Sequence, residues 1–188
     1  MRTVLFLLGE LDDDDIDWMI ERGDRRTVTA GTVLIQEGQP INHLFILLEG
    51  ALSVSVMVTG GQEIASLLSG DIVGEMSFVD TRPPSATVTA KQDSLVLCLS
   101  REELAAKLHL DVGFAARFYR ALAISLSNRL RLTVSHLKDL NLPTSTDTST
   151  DHDLPFSDLA RNAQENVALA NTRLDWLLRR LKDEVELK

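Results

Sequence analysis

The residues able to do chemistry are spread thinly along this chain. Its four histidines, His43, His109, His136 and His152, show none of the spacings that bring two imidazoles to one metal ion. No serine or cysteine stands in a nucleophile motif with a base beside it. His43 precedes the apolar run 44–48 and reads as a turn or edge residue. The single cysteine, Cys98, is embedded in Leu-Val-Leu-Cys-Leu at 95–99, the context of a small buried hydrophobe with no intrachain disulfide partner. The run Asp12-Asp13-Asp14-Asp15 suggests a cation site at first sight, but it stands where a helix begins. There, carboxylates accept from free N–H groups and face the positive end of the dipole. These patterns predict a protein that is not an enzyme, with no catalytic residues, no metal ligands and no resident cofactor.

At 188 residues the chain has room for one well-packed domain and an appendage. With 44% hydrophobic and 25% charged residues it has the balance of an ordinary globular protein. A formal charge of −9 works against a nonspecific grip on nucleic acid, which needs clustered Lys and Arg to neutralise phosphates. The apolar run 4–8 is too short for a signal peptide and meets Glu10 and the aspartate run at once. No segment is long enough to span a membrane, so the expected location is the cytoplasm.

Ile16, Met19 and Ile20 recur at helical spacing and Gly23 stands as a stop, which predicts a short entry helix over 11–22. From 28 to 99 the pattern changes to short aliphatic runs at 32–35, 44–48 and 52–58, punctuated by Gly31, Gly38, Gly50 and Gly70. In the third run Leu52, Val54, Val56 and Val58 alternate with Ser53 and Ser55, the signature of a strand with one buried face. Gly60-Gly61 then predicts a tight hairpin turn into a strand over 62–68. Such spacing points to an all-β sandwich or jelly-roll barrel.

Ser100 and Glu103 read as a capping box that opens a helical region. Beyond it, Phe114, Phe118, Leu122, Leu126, Leu130, Val134, Leu137 and Leu140 form a stripe on one long helix over 112–140, too long for a small roll to cover. Residues 141–155, polar and bracketed by prolines, read as a linker. Ala163, Val167, Ala170, Leu174, Leu177 and Leu181 then mark a final amphipathic helix within 156–188. With only about three heptads it needs a surface to lean on, either the dimer or a partner protein.

The stretch 70–88 reads Gly-Asp-Ile-Val-Gly-Glu-Met-Ser-Phe-Val-Asp-Thr-Arg-Pro-Pro-Ser-Ala-Thr-Val, and it follows Ala30-Gly31-Thr32-Val33-Leu34-Ile35-Gln36-Glu37-Gly38 and Leu44-Phe45-Ile46-Leu47-Leu48-Glu49-Gly50 in that order. This series resembles the β-roll and phosphate-binding cassette of cyclic-nucleotide-binding domains, over about residues 10–140. The resemblance implies a mainly β fold with flanking helices, a double-stranded β-helix (jelly roll) whose long helix 112–140 pairs with its symmetry mate in a homodimer. It also implies a site. Glu75 would accept the ribose 2′-hydroxyl, while Ser85, Ala86 and the N–H groups from Gly74 through Met76 to Ser77 would meet a cyclic phosphate. Thr87 would close the loop, and Thr133 on the long helix would face the purine.

One residue departs from the family's pattern: Pro84 stands where an Arg belongs. It removes the guanidinium and a backbone N–H, and Pro83 removes another donor. Losing one partner of a buried charged pair costs about 2–5 kcal/mol, or about one to three powers of ten in affinity. Arg82 is the one nearby substitute, although the family's spacing puts it outside the loop.

Two readings stay open. In one, the protein is a regulatory sensor that binds a cyclic nucleotide weakly, or a different small anionic or other ligand, and signals through a protein partner. In the other, the cassette has lost its ligand and the domain serves as a dimeric interaction module. A transcription regulator of the catabolite-activator type is a third. Residues 142–188 lack the pattern of a helix-turn-helix and balance their charges, which argues against direct DNA reading.

Overall fold

The structure is a computed structural model that describes residues 4–141, 169–177 and 179. Two helices come first, α1 (Val4–Glu10) and α2 (Asp13–Arg22). The apolar run 4–8, which the sequence reading passed over as too short for a leader, is thus the first helix. Asp12 caps α2 by accepting from the Asp15 N–H at 3.0 Å, while the Asp15 carboxylate accepts from the Asp12 N–H at 3.0 Å. The aspartate run is therefore a capping box, and Gly23 closes the helix by donating its N–H to the Met19 carbonyl.

Eight strands follow: β1 (Asp24–Val28), β2 (Val33–Ile35), β3 (His43–Glu49), β4 (Ala51–Ser55), β5 (Glu63–Leu68), β6 (Ile72–Val73), β7 (Thr87–Ala90) and β8 (Ser94–Ser100). They form two four-stranded antiparallel sheets, ordered β1-β8-β3-β6 and β2-β7-β4-β5. Between β6 and β7 lies a short helix, α3 (Glu75–Asp80), and after β8 come α4 (Arg101–Leu110) and α5 (Val112–Asn141).

The central strands of the first sheet are buried on both faces, which explains why their sequence runs are nearly continuous in apolar residues. In β3 and β8, Leu44, Ile46, Leu48, Leu97 and Leu99 face a helical core that includes Leu7, Leu8, Ile16, Met19, Phe114 and Phe118, while the edge strand β1 is largely exposed. Their neighbours Leu47, Val96 and Cys98 face the interior of the roll, against Ile35, Leu52, Val88 and Ala90 of the second sheet. Burial pushes the Cys98 thiol up to about 11, so it holds almost no thiolate at neutral pH.

Three details differ from the sequence reading. The strand expected over 52–58 stops at Ser55, and Met57–Thr59 form a 3-10 turn that ends in the left-handed Gly60. Val58 is consequently 92% exposed instead of lining the roll. Ser100 makes no side-chain capping bond to α4, because it is still the last residue of β8, paired with His43. The helical residues 169–177 lean on their own chain: Ala170, Leu174 and Leu177 are buried in the helical core. Arg173 holds them there, donating to the carbonyls of Leu8 (2.8 Å) and Leu11 (2.6 Å) and pairing with Asp13. The linker 141–155 lies, except for Asn141, outside the described residues, as do residues 156–168, 178 and 180–188 of the expected final helix.

The N-terminal half of α5 is anchored twice. Phe114 and Phe118 stack at 5.6 Å, with Trp18 of α2 tilted against Phe114 at 5.6 Å. Arg117 donates two hydrogen bonds, of 2.7 and 2.9 Å, to the buried carboxylate of Asp15, and its second terminal nitrogen also meets Asp12 at 2.9 Å. Burial alone would raise the Asp15 carboxyl, but the bonds from Arg117 and from the Asp12 N–H hold it below its ordinary value of 3.8. A depressed carboxylate contributes stability above its unfolded pKa and loses it as pH falls through the folded one. Arg117→Ala is therefore expected to cost about 2–3 kcal/mol at neutral pH. That cost should shrink below pH 3.8, as Asp15 takes up a proton. Urea unfolding of both proteins across pH checks this. A deficit that is constant with pH would assign Arg117 a packing role only.

Candidate functional site

Gly74 begins the site because the chain there must turn from β6 into α3 with φ at +90°, a conformation that favours glycine. A Cβ at this position would also lie 2.8 Å from the Ile41 side chain and 3.1 Å from the His43 carbonyl. The turn places Glu75 in the first turn of α3 with its side chain pointing inward, and the residue is only 2% exposed.

A buried carboxylate needs a partner, and here the partner comes from α5. Arg129 donates from Nη1 to Oε1 of Glu75 and from Nη2 to the Ile72 carbonyl at 3.0 Å. One guanidinium thereby ties the long helix both to α3 and to β6. Burial pushes the Glu75 carboxyl above its ordinary range, helped by the nearby charge of Asp71, and the Arg129 guanidinium pulls it back only in part. Alongside this pair Phe78 of α3 meets Phe118 of α5 edge-on at 6.0 Å. Two contacts of different kinds thus join the same two helices.

Glu75 and Arg129 form part of the wall of a cavity of about 340 Å³, within the ~300–1,000 Å³ span of small-molecule sites. Its inner wall is aliphatic, built from Ile35, Val54, Leu67, Val73 and Val88 of the two sheets. Ser77, Asp80, Arg82 and Ser85 are the remaining polar residues of the lining, and Met76, Pro83, Pro84 and Ala86 contribute apolar surface.

The structure brings most of the sequence-predicted site together. Gly74, Glu75, Met76, Ser77, Arg82, Ser85 and Ala86 all line this one cavity. Thr87 does not: its hydroxyl accepts from the Glu37 N–H at 3.1 Å and meets the Gln36 amide at 3.2 Å, fastening β7 to the end of β2. Thr133 belongs to α5, about one helical turn beyond Arg129, and its side chain lies outside the described residues. Arg129 itself escaped the sequence reading. The signal that points to it is the same helix face: it stands four residues before Thr133, and a carboxylate after Gly74 demands a cation.

The loop after α3 is fixed in an open-handed form. Thr81 has φ +59°, the Arg82 N–H donates to Asp80 Oδ1 at 3.0 Å, and the Pro84 carbonyl accepts from the Gly38 N–H at 2.9 Å. Arg82 points outward, its side chain 84% exposed and 3.9 Å from Asp80. Arg82 belongs to the lining of the cavity, but its guanidinium is turned to solvent in this structure.

Comparison with known proteins agrees with this geometry. The family model described as the cyclic nucleotide-binding domain matches residues 25–111. A glutaminase 2 of Bradyrhizobium diazoefficiens is 37% identical over 124 residues, which make up 66% of this chain and 19% of that protein. The chain spans between 7% and 35% of the length of the first curated relatives it matches. A crystal structure of a cyclic nucleotide-binding domain from Methylobacillus flagellatus superimposes with a TM-score of 0.67 at 22% identity, covering 77% of this chain and 85% of that one. The catabolite activator protein of Thermus thermophilus does so with a TM-score of 0.60 at 24% identity, covering 95% and 87%. These two likenesses speak to the fold. The matched segment, the two-sheet roll and the cassette residues gathered at one cavity agree: residues 25–111 match a cyclic nucleotide-binding domain, and the fold is like that of the catabolite activator protein.

Proposed function

We propose that this chain is a regulatory sensor: a small molecule held in the cavity alters the seating of α5, and the change is passed on through protein contacts and not by catalysis. The observation that carries this reading is the bond from Arg129 of α5 to the buried Glu75 in the cavity wall. A ligand that touches Glu75 or shifts α3 acts on the same residues that hold α5, because Phe78 and Phe118 join those two helices as well.

A cyclic nucleotide fits this cavity in part only. The ribose carboxylate is present in Glu75, but the phosphate corner has Pro84 in place of a guanidinium and two prolines without N–H groups. Weak nucleotide binding, or binding of another small molecule, follows. A ligand-free interaction module is the competing reading, favoured by the same prolines and by Arg129 already satisfying Glu75.

The homodimer is part of the proposal. The outer face of α5 leaves Leu130 65% exposed, with Tyr119 and Val134 also open to solvent. A second α5 laid along that stripe would cover it.

Three experiments test these statements. Calorimetric titration with cyclic AMP and cyclic GMP is expected to show at least ~30-fold tighter binding for Pro84→Arg than for the natural sequence. In the nucleotide-loaded variant, hydrogen exchange of α5 over 123–134 is expected to change; exchange that ignores bound nucleotide would overturn the sensor reading. Light scattering is expected to give about twice the chain mass of 20.8 kDa, falling to the single mass in Leu130→Glu. A natural protein that is monomeric at micromolar concentration would contradict the dimer.

A further inference from the structure

The cavity's charges cancel. Its lining contains two carboxylates, Glu75 and Asp80, and two guanidinium groups, Arg82 and Arg129. Arg129 is committed to Glu75 and to the Ile72 carbonyl. Arg82 faces solvent beside Asp80. No surplus cation on the lining is left to meet an anionic ligand, and an anion entering an apolar cavity without one forfeits its hydration for nothing.

The donors that would compensate are also depleted. Pro83 and Pro84 supply no N–H on the side of the cavity where a charged oxygen would need several. Meanwhile the walls favour a different guest. Ile35, Val54, Leu67, Val73 and Val88 make a continuous aliphatic surface from both sheets. Met76, 52% exposed, adds an unbranched and adaptable apolar side chain to the lining beside Pro83 and Pro84. Ser77 and Ser85 remain as neutral hydrogen-bonding groups able to orient a polar atom of a guest.

We infer that the ligand this cavity is built for is an uncharged, largely apolar small molecule carrying one or two neutral hydrogen-bonding groups, and not a cyclic nucleotide or other anion. The inference rests on the sensor reading for the identity of the site, and goes beyond it in naming the chemical class. Pro84 is then the specificity-determining residue: it removes the charge that selects an anion and adds apolar surface in the same step.

The test uses two fluorescent probes on the full chain: N-phenyl-1-naphthylamine, which is neutral and apolar, and the N-methylanthraniloyl derivative of cyclic AMP, which is anionic. The natural protein is expected to take up the neutral probe saturably, one per chain, and to hold it at least tenfold more tightly than the nucleotide probe. Ala65 of β5 also lines the cavity, and Ala65→Trp, which puts a large ring into that lining, is expected to weaken the neutral probe at least tenfold; Ala86→Phe serves the same purpose should the first variant fold poorly, with circular dichroism and melting as controls. Pro84→Arg is expected to reverse the preference. A natural protein that prefers the anionic probe, fails to take up the neutral one, or binds it equally well in both filled variants overturns the inference. Preference for the nucleotide would still leave a sensing cavity standing. Uptake of the neutral probe with no change in α5 hydrogen exchange would instead sink the sensor reading and leave the ligand class intact.

Discussion

A carboxylate taken out of water must find compensation, and the way Glu75 finds it organises the functional half of this molecule. The compensation comes from a guanidinium on the long helix, nearly five turns into α5. That pair ties α5 to α3, and α3 is part of the cavity wall. Asp15 shows what a different arrangement does. It too is buried and bound by an arginine of α5, but it receives a two-pronged bond and a backbone N–H besides, and its carboxyl is held low. Glu75 sits beside the charge of Asp71 and its carboxyl is pushed up. The first pair is a fixed anchor. The second lies in the wall of the cavity.

The rest of the fold supports this division. The central strands of the first sheet separate the helical core from the interior of the roll; Phe114 and Arg117 hold the start of α5 on the helical side, while Phe118 also meets Phe78 of α3. Residues 169–177, locked by Arg173 onto the ends of α1 and α2, reinforce that fixed half. Further along, Arg129 of α5 is itself part of the cavity wall. A helix clamped at one end and conditionally held beyond it is suited to pivot.

Much of this was legible in the sequence, for identifiable reasons. Continuous runs such as 44–48 and 95–99 announced strands buried on both faces, and glycines with positive φ marked the turns between them. The cassette residues 74–77 and 85–86 were legible because a tight turn into a short helix constrains residue types locally. What escaped was non-local or locally ambiguous. Arg129 lies 54 positions from Glu75 and reads, by itself, as a solvated charge on a helix. The run 4–8 is too short for periodicity to show, and becomes a helix through tertiary burial against α5. Thr87 matched its motif and yet serves the strand pair, since a hydroxyl at a strand end is as useful to a neighbouring N–H as to a ligand. Ser100 and Glu103 fit the capping-box pattern, but the ladder with β3 claims Ser100 first.

The claim on which this account turns is that Glu75 and Arg129 act as one unit joining the cavity to the long helix. A double-mutant cycle with Glu75→Gln, Arg129→Gln and the pair, read by urea unfolding at neutral pH, tests it directly. The account predicts a coupling energy of about 1–3 kcal/mol, the double variant being much less destabilised than the sum of the singles. Additivity within about 0.3 kcal/mol would mean that the two side chains contribute separately, and would contradict a linkage between cavity and helix through this pair.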